Sequence, residues 1–377
     1  MTARTLAIAR KETRELVRDP VYLGLAFVVP VALMLLFGYG LSLDVKHLPV
    51  VFVDHNRSPL SRDYIDRYVH SEYFDLVHVT SEPREADEAL QRGRARVVIE
   101  IPPDFARRVA AAAPVRLGVT VDGSFPTRGE VITGYVTAIN TQYSQELLTA
   151  FLRRRGVAAE RASPVSMAMS VWYNPSLESK HFIVPGIIVI ILMLFPALLG
   201  ALLIARERES GTIFNLFASP VRRGEILAGK ALPYVGVACL DYLVLYAMGR
   251  WLFDVRFTGS VSVLSLGALL YAVCTVGMGL LISVLTRSQL AAMLVTFLVT
   301  VTPAFNYSGF LAPVASQDPV GQFAARLIPA TYFMDVVRGS YLKGLGLAYY
   351  AHHLLTLAAY TLIIYAAAWL ALRKRIG

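Results

Sequence analysis

The sequence predicts a polytopic α-helical membrane protein: six transmembrane helices with an extracytoplasmic α/β domain inserted after the first. Three observations predict it. Long stretches lack ionisable side chains, starting with Pro20–Leu43 and recurring at Phe182–Ala205, Phe257–Thr286, Ser288–Gln317 and Gly344–Leu372, while Ala231–Gly249 is broken only by Asp241. At 1.5 Å per residue, the first would be a helix of about 36 Å, enough for a hydrocarbon core of about 30 Å. The basic residues cluster beside these stretches on one side, and strands alternate with helices between residues 44 and 180. Hydrophobic residues make up 55% of the 377 and the net charge is +9; mean hydropathy is +0.53, above the range of soluble domains.

Residues 1–19 are expected to form a helix along the cytoplasmic interface. Thr5–Asp19 mixes Leu6, Ile8, Leu16 and Val17 with Arg10, Lys11, Arg14 and Arg18, and Asp19-Pro20 stops it. A disordered basic tail is the alternative, because the apolar face is narrow. Residues 20–43 are the first transmembrane helix. They are too long and too poorly flanked for a cleaved signal peptide, so they read as a retained anchor.

Residues 44–180 form the inserted domain. Strands are expected at Val50–Asp54, Leu76–Thr80, Arg96–Ile101 and Leu117–Asp122, helices at Ser61–Val69, Glu85–Arg92 and Asp104–Ala112, and a long helix from Arg128 to Arg155. Strand–helix alternation argues a small sandwich, and Gly156–Ser170 reads as a flexible return to the membrane. His47, His55, His70 and His78 lack the i, i+4 spacing of a helical metal pair. The two cysteines, Cys239 and Cys274, lie in apolar stretches, which excludes a disulfide framework or a cysteine metal site in the inserted domain.

Residues 181–377 hold five further spans, and the Gly321–Lys343 part of the segment 312–343, too polar to cross, reads as one or two short helices at or re-entering the outer interface. Six crossings place Arg4–Arg18, Arg206–Lys230, Arg287 and Arg373–Arg375 on one side. By the positive-inside rule that side is the cytoplasm, which puts both termini there and residues 44–180 outside. With the excess charge beside the membrane, nucleic-acid binding is disfavoured.

Two features invite chemistry. Gly224–Lys230 fits most of a phosphate-binding loop, but Ala231 replaces its Mg²⁺-binding hydroxyl and no strand precedes it; Lys230 is read instead as marking the cytoplasmic end of the third span. Asp241 is costly in mid-membrane and points to either substrate or proton contact or a structural bond to a nearby hydroxyl. The most specific string is Ala205–Pro220. Charges cluster at the membrane exit, Gly211-Thr212 makes a break, and a short amphipathic helix presents Ile213, Phe214, Leu216 and Phe217 before Pro220. Physics alone leaves open a protein docking surface or a helix lying on lipid.

That string resembles the E-R-E-x-G-T-x-x-x-L-x-x-x-P signature of the type-2 ATP-binding-cassette (ABC) exporter permeases, in particular the bacterial subfamily with a large domain after the first span. Other pieces match in order: Arg18-Asp19-Pro20, Ser58-Pro59-Leu60-Ser61, Ile101–Phe105, Trp172-Tyr173-Asn174-Pro175, Val184-Pro185-Gly186, Gly229-Lys230, Ser308-Gly309-Phe310, Ile328–Tyr332 and Arg338-Gly339. Asp318-Pro319 departs from the family's frequent Met-Pro.

The resemblance implies a non-enzymatic permease subunit in the bacterial inner membrane, paired with a second subunit as homo- or heterodimer. It would be driven by a separate cytoplasmic ATPase that binds ATP and magnesium; this chain would hold no cofactor. The coupling helix falls at 206–220, with Arg206, Glu207, Glu209, Gly211, Thr212, Phe214, Leu216, Phe217 and Pro220 as coupling residues. Lys11, Glu12 and Arg18 lie on the interfacial elbow helix. A path between the first, second and fifth spans would expose Phe27, Met34, Phe37, Phe195, Phe297 and Phe305, and Asp241 is a further candidate. These suit efflux of amphipathic or hydrophobic, drug-like or lipid-like substrates, with membrane lipid and a periplasmic adaptor as further partners. An envelope sensor with a ligand-binding outer domain and an ion-coupled secondary transporter using Asp241 are the alternatives.

Overall fold

The computed structural model describes residues 3–40, 46–111, 113–124, 126–154, 173 and 178–372. The chain divides into two compact units, one of Met1–Ser42 with Val171–Gly377 and one of Leu43–Ser170.

Among the described residues of the first unit six helices are long and apolar enough to cross a membrane: span 1 Pro20–Gly40, span 2 Lys180–Glu209, span 3 Arg223–Leu252, span 4 Val261–Leu285, span 5 Gln289–Tyr307 and span 6 Leu347–Ala371. Span 2 is the axis. From Ile183 to Ala205 only Leu194 is not fully buried, whereas spans 1, 5 and 6 keep most of their surface outward. Glycine sets the tightest crossing. A Cβ on Gly200 would lie 2.6 Å from the Val276 carbonyl oxygen, and one on Gly279 would collide with that of Ala197. Only hydrogen fits where spans 2 and 4 bring their backbones together. At the same crossing the buried Ser283 hydroxyl of span 4 accepts from the amides of Ile204 and Ala205, each at 2.9 Å.

Two spans differ from the sequence expectation. Span 3 starts at Arg223, so Lys230 lies two turns inside the helix rather than at its end; its charge is matched there, as described below. Span 5 stops at Tyr307 and not at Gln317, because Gly309 takes φ 86°, a left-handed conformation that breaks the helix. The polar segment that follows folds as two short helices, Pro319–Arg326 and Pro329–Arg338, then one wide π turn, Gly339–Lys343. Asp318 caps the first, accepting from the Gly321 amide at 3.2 Å, a role that Met at this place cannot fill.

The second unit is a four-stranded sheet in the order β2-β1-β3-β4, built from β1 Leu48–Asp54, β2 Phe74–Thr80, β3 Val97–Ile101 and β4 Gly118–Val121. The first three strands run parallel and β4 is antiparallel to β3. β1 is buried on both faces, as a central parallel strand must be. Val50 and Phe52 join Tyr64, Tyr68, Phe105, Val136 and Tyr143 on one side, while Val51 and Val53 meet Ala86 and Ala89 on the other. The helices Pro59–Val69 and Pro83–Gln91 each begin on proline, two residues before the expected starts. Ser58 and Ser61 form a capping box, and Asp54 closes the turn by accepting from the Ser61 hydroxyl at 2.7 Å and from the Asn56 and Arg57 amides at 2.9 Å. Ser58–Ser61 is thus a helix start. The long helix Pro126–Arg154 borders an apolar cavity of about 530 Å³, with Phe105, Val115, Leu117, Leu147 and Phe151 in its wall.

Candidate functional site

The residues picked out by sequence pattern gather mainly at the two ends of span 2. At the Glu209 end, a helix spans Ala3–Arg18 and buries Thr5, Ala9, Glu12 and Leu16, a face at helical spacing. It lies against the start of span 3, where a Cβ on Gly229 would come within 2.8 Å of Ile8. That contact carries Glu12 to the buried Lys230. The ammonium sits 2.6 Å from Glu12 Oε1 and 2.9 Å from Glu207 Oε1, with its side chain 1% exposed. Lys11 closes the group at 3.2 Å from the same Glu207 oxygen. Burial pushes the Glu12 carboxyl up while the Lys230 ammonium pulls against it. Lys230 is therefore already held by two carboxylates, and Gly224–Lys230 is no phosphate cradle.

The other charges of the exit string reach different elements. The Arg206 guanidinium stands 5.1 Å from the Tyr22 ring centroid and 3.4 Å from Asp19 Oδ2. Arg208 donates to the Thr286 carbonyl at 2.8 Å, at the end of span 4. Glu209 accepts from the Gln289 amide at 2.9 Å, at the start of span 5. Four consecutive residues thus tie span 2 to the N-terminal helix and spans 1, 3, 4 and 5.

Beyond this joint, Gly211 at φ 74° turns the chain into the short helix Ile213–Ala218. Ile213 is buried, and Leu216 and Phe217 pack partly against the core of spans 2 and 3. Phe214 alone of the four apolar residues stands out, 58% exposed. Thr212 and Pro220 are also exposed, and the Pro220 carbonyl accepts from Arg4 at 2.8 Å. Glu207, which the resemblance sets among the coupling residues, turns inward, whereas Arg18 stays at the surface.

At the opposite end three of the matched strings meet. A Cβ on Gly186 would lie 2.6 Å from the Phe310 ring and 3.4 Å from Arg338 Nη2. Arg338 donates to the carbonyls of Gly309 and Phe310, the latter at 3.1 Å, and lies 3.8 Å from the Phe182 ring centroid. Burial pulls its guanidinium down to about 10, with the Asp335 charge opposing. Trp172, Asn174, Pro175, the return segment and Arg373–Arg375 lie outside the described residues.

The expected path residues do not form one surface. Met34, Phe37, Phe195 and Phe305 share the core nearest Gly186, with the Phe37 and Phe305 centroids 6.3 Å apart. Phe27 packs in the core at the Glu207 end, and Phe297 faces outward. Asp241 is buried on span 3, its Oδ2 without a hydrogen-bond partner among the described residues, so of its two readings the structural bond to a hydroxyl is not formed there. Among the described residues no group of three or more His, Cys, Asp or Glu is placed to hold a metal.

Residues 21–370 match the family described as "ABC-2 family transporter protein". The chain belongs to this family. It is 31% identical over 377 residues to the "Probable multidrug ABC transporter permease YbhS" of Escherichia coli (strain K12), covering 99% of this chain and 97% of that one. It is 27% identical over 376 residues to the "Probable multidrug ABC transporter permease YbhR" of the same strain, with both chains fully covered. It is also 29% identical over 332 residues to its "Inner membrane transport permease YhhJ", covering 87% of this chain and 86% of the relative. The protein is thus a type-2 ABC permease, a multi-pass membrane protein and not itself an enzyme. Sequence reasoning missed the inward ion cluster and the meeting of Gly186, Phe310 and Arg338. One signal was available: Glu12 on the buried face of a basic helix, where only a matched charge explains a carboxylate.

Proposed function

We propose that this ABC-2 permease exports amphipathic or hydrophobic compounds, drug-like or lipid-like, from the cytoplasm or inner leaflet across the bacterial inner membrane. It works as one of two paired permease subunits, and a separate cytoplasmic ATPase supplies ATP and magnesium chemistry. A periplasmic adaptor receives the substrate. The relatives' names, multidrug and inner membrane, support the substrate class and the place. The basic residues at the Glu207 end support cytoplasmic termini.

The observation that carries the reading is Phe214, exposed on a short helix whose base is locked to the joint. An exposed aromatic on a rigid mount is an anchor for a partner's pocket. Force applied there passes through Glu207 and Lys230 to the N-terminal helix and span 3, and through Arg208 and Glu209 to spans 4 and 5. Those helices then move together and open a route past Met34, Phe37 and Phe305.

Phe214→Ala tests this. Losing a central aromatic anchor costs on the order of 2 kcal/mol, about thirtyfold in affinity. Recovery of the ATPase with the purified permease should fall and transport should be lost, while membrane insertion and the unfolding midpoint stay unchanged. Undiminished ATPase recovery and transport would remove the coupling assignment.

A further inference from the structure

At the end of the bundle away from Glu207 lies a polar cavity of about 570 Å³ between the start of span 2, the turn after span 3 and the Gly339–Lys343 turn. Its size suits a headgroup or a small amphiphile. Lys180, Arg250 and Arg256 bring three cations to the wall, against Glu178 and Asp254. Lys180 pairs with Glu178 at 2.8 Å, and Arg250 is 3.9 Å from Asp254. Arg256 has no ion pair or hydrogen bond among the described residues, which leaves its charge free.

A second, independent observation lies in the same wall. Tyr341 is 1% exposed, and its hydroxyl has no hydrogen-bond partner. Its ring packs edge-on against that of Phe257, with centroids 5.2 Å apart. His181 Nδ1 is also buried without a hydrogen bond, 3.9 Å from Glu178 Oε2. A buried donor left unpaired is costly, and an oxyanion in the cavity would bring an acceptor to this wall and a charge to pair with Arg256. Of the two acids in the wall, Glu178 is engaged by Lys180 and Asp254 is turned to solvent, 89% exposed.

We propose that this cavity binds the anionic group of an amphiphile, a phosphate or carboxylate, at the far end of the bundle. Charge-assisted bonds to a phosphate are the strong class, and a site at a span end is reached by a molecule whose tail stays in the bilayer. The shared chemistry could come from an anionic lipid headgroup or from a soluble anionic amphiphile.

The permease is reconstituted in phosphatidylcholine nanodiscs and titrated with dodecyl phosphate, then with dodecyltrimethylammonium. We expect the phosphate to bind at least about tenfold more tightly. Arg256→Gln should remove that preference, and Tyr341→Phe should weaken phosphate binding about fivefold while leaving the unfolding midpoint equal or higher, since it deletes an unpaired buried hydroxyl. A merely structural Tyr341 would move the two readouts together. Nanodiscs of equal phosphatidylcholine and phosphatidylglycerol, analysed by native mass spectrometry, separate the sources. Retention of phosphatidylglycerol that depends on Arg256 assigns the lipid headgroup, and its absence beside selective dodecyl phosphate binding assigns a soluble amphiphile. Equal binding of the two amphiphiles, or unchanged dodecyl phosphate affinity in Arg256→Gln, overturns the proposal. None of these measurements uses the ATPase, so they stand or fall apart from the coupling assignment.

Discussion

Replacing Lys230 with Met removes the centre of the joint and leaves its frame. The Lys230 ammonium is buried between Glu12 at 2.6 Å and Glu207 at 2.9 Å, so the substitution leaves two carboxylates facing each other out of water. Breaking one partner out of a buried ion pair costs about 3–5 kcal/mol. Lys11 recovers little of this, because its side chain is 55% exposed and a pair of that kind is worth about 1 kcal/mol or less. The triple variant Glu12→Gln, Lys230→Met, Glu207→Gln removes the charges with their partner and should regain most of the loss, as replaced buried pairs often do. Reversible unfolding in mixed micelles, followed by circular dichroism, measures all three chains. If Lys230→Met unfolds within about 0.5 kcal/mol of the parent, the change is no larger than at an ordinary surface position. The cluster would then not be holding the N-terminal helix, and the reasoning fails.

Three further expectations are quick to check. With Cys239 and Cys274 replaced, a cysteine at the exposed Arg84 should react with an impermeant thiol reagent in intact cells and one at Ser219 only after permeabilisation; the opposite pattern would invert the orientation. Gly279→Ala drives a methyl group into the Ala197 carbonyl of span 2 and should cost about 1–3 kcal/mol or more, whereas Gly236→Ala, with nothing within 4 Å, should be neutral or stabilising in the same unfolding assay. In the sheet unit, the Ser124 hydrogen bonds and then the Arg96 guanidinium hold the Asp122 carboxyl at about 2. Its folded value lies below the unfolded one of about 3.9, so its contribution is complete above that value and fades as pH falls toward 2. Hydrogen exchange of the β3 and β4 amides should quicken over that window, and Asp122→Asn should flatten the dependence.

The spans and strands were legible because both announce themselves locally. A run such as Ile187–Leu203 has no charge to place, and VVFVD, rich in β-branched and aromatic residues, reads as a strand. Ends were less legible. The two helices after β1 and β2 begin on Pro59 and Pro83 because proline at the first position needs no amide partner, and span 5 ends where Gly309 takes a left-handed turn. The path residues were the least legible. Aromatic character does not say which way a side chain faces, so Phe195 in the core and Phe297 on the outside looked alike.

The readings of Glu207 and Lys230 share a cause. Local pattern reads both as charges at a membrane boundary, Glu207 in the exit cluster and Lys230 at the cytoplasmic end of span 3, where a charge is ordinarily kept in water. The rule holds for a charge taken alone, since burying either one unpaired is costly. It reverses for two charges that meet. Glu12, Glu207 and Lys230 lie far apart in the chain, so neither periodicity nor local charge pattern can match them; only the packing of Ile8 onto Gly229 brings the N-terminal helix close enough. Once that glycine admits the helix, Glu12 reaches Lys230, Lys230 is drawn in and Glu207 follows it. The inward turn of the exit string's first carboxylate is thus a consequence of a glycine twenty-two residues later. The same contact leaves Phe214 as the part of that string most free to meet a partner.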